Sequence, residues 1–231
     1  MFLQSSLLSE LYRTLSELAR ASLLFLSVVA GIAFADVAAQ PQDQQRSSAS
    51  DNIILVMGDS LSAAYGIDVE KGWVTLLQQE LKRNQLDYEV INASISGETS
   101  SGGKRRIDAL LDKWQPRIVI LELGGNDGLR GVPTKTIEAN LDSMITLSAT
   151  SSAEILLLGM QIPPNYGPRY TAAFHQVFHT LAEKHSISLV PFFLENVATR
   201  SDWMQADGIH PTADAQRTML RNVWPLLQQL L

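Results

Sequence analysis

No cysteine occurs in the 231 residues of this chain. That absence excludes disulfides, thiolate metal sites, a cysteine nucleophile and lipid attachment through an N-terminal Cys. Cationic residues are also few: 18 Lys and Arg stand against 24 Asp and Glu, a formal net charge of −6. They form no clustered stripe, so the electrostatic footprint of a nucleic-acid binder is missing and that class is set aside. Long apolar runs are scarce too. The one that stands out, Ala21 to Ala35 (ASLLFLSVVAGIAFA), is shorter than the about 20 apolar residues of a bilayer span.

Arg13 and Arg20 precede that run, and small residues end it at Ala33-Phe34-Ala35. A basic flank, a short apolar stretch and an A-x-A end are the layout of a cleaved export signal. The long flank also carries Glu10 and Glu17, which leaves an uncleaved signal-anchor as the alternative, and Val37-Ala38-Ala39 offers a second cut. The expected organisation is a signal peptide over 1–35, a polar low-complexity linker over 36–51 and one domain over 52–231. That domain, about 180 residues, is large enough for a sizeable core. The expected location is periplasmic or secreted, with no stable membrane span after signal removal.

Asn52 to Met57 (NIILVM) is a near-continuous apolar run, as expected of a strand buried on both faces of a parallel sheet. Further strands are expected at Tyr88 to Ile91, Arg117 to Leu123, Glu154 to Met160 and Ser188 to Val190. Helical spacing marks Trp73 to Arg83, Ser101 to Leu111, Thr134 to Ser148, Arg169 to Lys184 and a tail from Ala213 to Leu231 interrupted by Pro225. Alternating strands and helices imply an α/β fold, a parallel sheet covered on both faces by right-handed crossovers. Sites in such sheets form at the carboxyl ends of the strands.

The residues that follow those strand ends carry the chemistry. Ser60, in Gly58-Asp59-Ser60-Leu61-Ser62, follows the first strand and is the candidate nucleophile. A serine hydroxyl needs an adjacent base. His210, in Asp207-Gly208-Ile209-His210-Pro211, is the candidate base, because imidazole titrates near neutrality. Asp207, three residues before it, is the candidate orienter of the ring, ahead of Asp202. Gly97 and Asn126, with the Ser60 N–H, are candidate oxyanion donors. Plainer readings accompany each: Ser60 as a helix cap or phosphate ligand, Asp207-Gly208 as a turn, Gly124-Gly125-Asn126-Asp127 as loop composition. Asp127 receives no chemistry. His175 and His179, four apart on a helix, lack a companion ligand and are expected at exposed positions. Arg105 and Arg106 are expected on a solvated face, and Trp73, Trp114 and Trp224 in or against the core. The apolar loop Ile162-Pro163-Pro164-Asn165-Tyr166 is a candidate acyl contact.

Four segments, Gly58-Asp59-Ser60-Leu61, Gly97, Gly124-Gly125-Asn126-Asp127 and Asp207-Gly208-Ile209-His210-Pro211, resemble in order the blocks of the SGNH, or GDSL, hydrolases. The strings NASISGETS, ELGGNDGLRG, QIPPNYGPRY and WMQADGIHP look like one branch, bacterial periplasmic multifunctional thioesterase I, protease I or lysophospholipase enzymes and related arylesterases. The resemblance covers about Asn52 to Leu231. It implies a three-layer, flavodoxin-like fold with a five-stranded parallel sheet, a triad of Ser60, Asp207 and His210, and an oxyanion hole of Ser60, Gly97 and Asn126. It also implies that Gly125 to Pro133 moves on binding, and that Leu129, Ile162, Pro163 and Tyr166 border an acyl pocket. The region before Asn52 is longer than that branch's.

The expected activity is hydrolysis of acyl esters and thioesters, lysophospholipids among them, by a monomer needing no metal or organic cofactor. Two other readings are a carbohydrate O-acetylesterase on the same fold and a non-enzymatic, phosphate-binding flavodoxin-like module.

Overall fold

The computed structural model describes residues 52–231. The expected signal peptide and linker lie outside the described residues. Five parallel strands form one sheet: β1 (Ile53–Gly58), β2 (Glu89–Asn92), β3 (Ile118–Glu122), β4 (Glu154–Leu158) and β5 (Ser188–Val190). Their order is β2-β1-β3-β4-β5. The strands expected from apolar runs are all present, with ends shifted by a residue or two where the runs continue into loops. β1 and β3 are buried along their whole length, which is why they read as unbroken apolar segments.

The helices are α1 (Trp73–Arg83), α2 (Ser100–Trp114), α3 (Gly125–Leu129), α4 (Thr134–Thr150), α5 (Pro168–His185) and α6 (Gln216–Leu227). α1 packs on α6, while α2, α4 and α5 pack side by side, so the sheet lies between two helical layers. Fully buried aromatics fill both layers: Trp73 meets Phe193 edge-on at 5.3 Å, and Phe174 meets Phe178 at 5.5 Å. The order in which strands are added switches sides between β1 and β3, with β2 laid on one flank and β3, β4 and β5 on the other, the place where an open α/β sheet leaves a crevice at its carboxyl edge.

Two expectations are corrected. α3 is a five-residue helix inside the Gly-rich segment, too short and glycine-rich to show a periodic signal. The tail helix is not broken at Pro225: it runs to Leu227, and Gln228 N–H still donates to the Trp224 carbonyl. Proline here removes one bond near an exposed helix end, where the loss is small. Among the described residues, no helix is long and apolar enough to cross a membrane.

Candidate active site

β1 ends at Gly58, and the chain turns at once into a short coil, with Ala63 N–H donating to the Asp59 carbonyl and Tyr65 N–H to that of Ser60. This turn lifts the Ser60 hydroxyl over the carboxyl edge of the sheet. His210 arrives from the other end of the chain on a loop pinned at its base by an antiparallel bridge between Met204 and Pro211. Gln205 N–H donates to the His210 carbonyl at 2.7 Å, and Gln205 Nε2 ties the loop to the Tyr65 carbonyl at 2.9 Å.

Within that loop Asp207 makes an Asx turn, its Oδ1 accepting from Ile209 N–H at 2.9 Å and His210 N–H at 3.0 Å. Its other oxygen, Oδ2, takes the His210 Nδ1–H at 2.6 Å. A proton on Nδ1 leaves Nε2 with a lone pair, which accepts the Ser60 hydroxyl at 2.9 Å. The side-chain bond from His210, then the two backbone N–H groups, hold the Asp207 carboxyl down at about 2. Asp202, the rival orienter, is occupied by Arg200 at 2.7 Å on the surface.

The candidate oxyanion donors come from three strand ends, Ser60 after β1, Gly97 after β2 and Asn126 after β3. Gly97 has φ +79°, a left-handed conformation that a side chain makes costly. A Cβ there would meet nothing nearer than Arg130 Nη2 at 4.0 Å, so the backbone angle, not crowding, selects glycine. Neither the Ser60 N–H nor the Gly97 N–H has a backbone acceptor among the described residues. Asn126 lies in the first turn of α3, and its Nδ2 donates to Asp59 Oδ2 at 3.0 Å, which leaves a second N–H of the same amide to point elsewhere. Asp59 is buried, its Oδ1 accepting from Leu61 N–H at 3.0 Å. Burial pushes its carboxyl up to about 6, against the pull of those donors and of His210.

Asp127 proves structural. It is buried, and its two oxygens take the N–H and hydroxyl of Ser100 at 2.7 Å each, joining α3 to the start of α2. Arg106 is not on a solvated face: it pairs with Glu98 at 2.8 Å and caps the Ala93 carbonyl at 3.2 Å, bracing the loop that carries Gly97. His175 and His179 are half-buried rather than exposed, with Nε2 atoms 3.2 Å apart. Among the described residues, no group of three His, Cys, Asp or Glu could hold a metal.

The candidate acyl contacts divide. Tyr166 is exposed, and its hydroxyl donates to the Leu129 carbonyl at 2.8 Å, linking the two loops. Leu129 is half-buried and Pro163 exposed. Ile162 is buried and sits against Gly128 and Phe174, a support beneath the surface more than a face of it. Sequence reading missed Tyr65, Ile95 and Ile209, which are 51%, 48% and 42% exposed on the loops that carry Ser60, Gly97 and His210. Their signal was available: large apolar residues in polar loops immediately beside each candidate group. Tyr65 also leans on the His210 ring, centroids 4.5 Å apart. A separate hollow of about 530 Å³, lined by Arg200, Trp203 and Arg221 among others, contains none of the candidate groups.

Against known proteins, the description of the GDSL-like lipase/acylhydrolase family matches residues 56–218. The chain belongs to that family. It is 52% identical over 183 residues to the esterase TesA of Pseudomonas aeruginosa, covering 79% of this chain and 91% of that one. It is 44% identical over 171 residues to thioesterase 1/protease 1/lysophospholipase L1 of Escherichia coli K12, covering 74% of this chain and 80% of that one. The solved structure of TesA superposes with a TM-score of 0.77, covering 78% of this chain and all of that one, 100%. A psychrotrophic esterase EstA from Pseudoalteromonas sp., inhibited by monoethylphosphonate, superposes at 0.74 with 45% identity, covering 77% and 97%. By kinship this chain is an SGNH-type ester hydrolase, built on a five-stranded parallel α/β sheet.

Proposed function

We propose that this SGNH hydrolase cleaves carboxylic esters and thioesters of acyl chains through an acyl-enzyme on Ser60. The observation that carries the reading is the 2.9 Å contact between Ser60 Oγ and His210 Nε2, with Asp207 fixing the far side of the ring at 2.6 Å. Ser60 Oγ attacks the substrate carbonyl carbon as its proton passes to Nε2. The carbonyl oxygen gains the negative charge and is met by the N–H groups of Ser60 and Gly97 and the second N–H of Asn126. Asp207 stabilises the imidazolium without taking its proton. The imidazolium then protonates the departing alkoxide or thiolate, and the acyl group stays on Ser60. Water, deprotonated by His210, attacks next and releases the acid.

The exposed apolar side chains of Tyr65, Ile95, Tyr166 and Ile209 support an acyl or aryl substrate, since a small acetyl group on a sugar needs no such rim. Leu129 and the Pro163–Tyr166 segment border the proposed chain path. All groups come from one chain, so a monomer suffices. A phosphate-binding role for Ser60 leaves the hydrogen bonds of His210 and Asp207 unused. The proposed setting is outside the cytoplasm after removal of residues 1–35, which N-terminal sequencing of the mature protein tests.

Hydrolysis of p-nitrophenyl esters and acyl thioesters by wild type and Ser60→Ala tests the chemistry. Turnover should vanish in the variant and rise from acetyl to longer acyl chains. Activity retained without the hydroxyl rejects the mechanism, and strict preference for acetyl esters favours the carbohydrate deacetylase reading.

A further inference from the structure

Glu122, the last residue of β3, has its side chain fully buried beneath the turn that presents Ser60. One oxygen, Oε2, accepts both the Asp59 N–H at 3.2 Å and the Ser62 hydroxyl at 2.7 Å. Ser62 Oγ in turn accepts the indole N–H of fully buried Trp73 at 3.2 Å. The residue just before Ser60 and the one two beyond it are therefore moored to a single atom. A Cβ on Gly58 would fall within 2.6 Å of both Glu122 Oε2 and Ser62 Oγ, so the strand end is a glycine to make room for this mooring.

The other oxygen, Oε1, is buried with no hydrogen-bond partner. Among the described residues, no cation pairs with Glu122; the titratable group that faces it is the carboxyl of Asp59. Two adjacent buried carboxyls do not both ionise. The single charge belongs on Asp59, whose two oxygens accept from Leu61 N–H and Asn126 Nδ2, whereas Glu122 has an oxygen with no donor. An ionised Glu122 would leave a bare buried oxygen beside that charge, whereas a neutral acid leaves only an unpaired hydroxyl, a far smaller penalty.

We infer that Glu122 is a positioning residue for the nucleophile: a neutral carboxylic acid whose carbonyl oxygen holds the Ser60 turn in register while Asp59 alone stays charged to orient Asn126. Burial, and then the Asp59 charge, raise its carboxyl well above the ordinary range, which agrees with that protonation state. The inference rests on Ser60 being the nucleophile.

The test compares Glu122→Leu with Glu122→Gln, using p-nitrophenyl butyrate below the melting temperature of each protein. Leucine removes the acceptor, and a turn displaced by an ångström costs about 10²-fold in kcat with KM little changed. Glutamine keeps a carbonyl at Oε2 and is neutral, so it should rescue most of that loss. A leucine variant with wild-type kcat overturns the positioning role, and a glutamine variant as slow as leucine overturns the neutral acid. Should Glu122→Leu not fold, Ser62→Ala removes one of the two moorings and should lower kcat in the same direction; unchanged kcat overturns the role. Infrared difference spectra of wild type against Glu122→Gln at pH 7 read protonation without turnover: a protonated-carboxyl stretch is expected, and its absence overturns the neutral acid. Failure of Ser60 itself shows separately, as a wild type that neither hydrolyses esters nor reacts with a fluorophosphonate.

Discussion

Replacing Asn126 by alanine touches catalysis and stability through two different N–H groups of one amide. The N–H aimed away from Asp59 is the proposed oxyanion donor. Its loss should lower kcat about 10²–10³-fold, or roughly 2.7–4 kcal/mol, with KM nearly unchanged because the charge it meets exists only in the transition state. The other N–H donates to Asp59 Oδ2 at 3.0 Å. A bond to a charged acceptor is worth about 1.5–3 kcal/mol, so the variant should unfold at lower urea. The size of that shift should depend on pH. Burial raises the Asp59 carboxyl from 3.8 to about 6 in the folded protein. Its folded value lies above its unfolded one, so its contribution to stability is fully present below pH 3.8 and is lost as pH rises through about 6. Above that window the ionised group costs about 3 kcal/mol. Removing Asn126 takes away a bond that lowers the Asp59 value, and the loss then continues above pH 6. Urea unfolding at pH 5 and pH 8 should therefore show a larger destabilisation at the higher pH. A variant with kcat within threefold of wild type, or with the same destabilisation at both pH values, refutes the reasoning.

Asp207→Ala should lower kcat by at least about 10³-fold, because Nδ1 loses the acceptor that fixes the tautomer; steady-state kinetics with a chromogenic ester check it. The same carboxyl is held at about 2, below its ordinary value, so the stability it supplies is present above pH 3.8 and lost as pH falls toward 2. Acid unfolding should thus shift to higher pH in the alanine variant. Gly97→Ala imposes a side chain at φ +79°, a strain of about 1–2 kcal/mol, and should lower both the melting temperature and kcat, since relaxation of that angle turns the N–H away.

The strands were legible because β1, β3 and β4 are buried on both faces, and a doubly covered strand must be apolar throughout. The hydrogen-bonded trio of Ser60, His210 and Asp207, the proposed triad, was legible because Asp207 and His210 share one turn and Ser60 follows the first strand end. α3 was not, since five residues with two glycines make no periodic face. The buried partnerships were hidden for a different reason. Arg106 bracing the Gly97 loop, Asp127 capping α2, and Glu122 beneath the Ser60 turn join segments far apart in the chain, and a lone charged residue carries no mark of its distant partner. Glu122 stands out in the sequence only as one residue of the third strand, although a carboxyl between Leu121 and Leu123 in a covered strand has to be accommodated somewhere.

Reaction of the mature protein with an alkyl fluorophosphonate, followed by intact mass and peptide mapping, tests the central claim most directly. The geometry predicts one adduct per chain on residue 60, and none after the imidazole is removed by His210→Ala. Labelling at another serine, or equal labelling without that ring, contradicts the account.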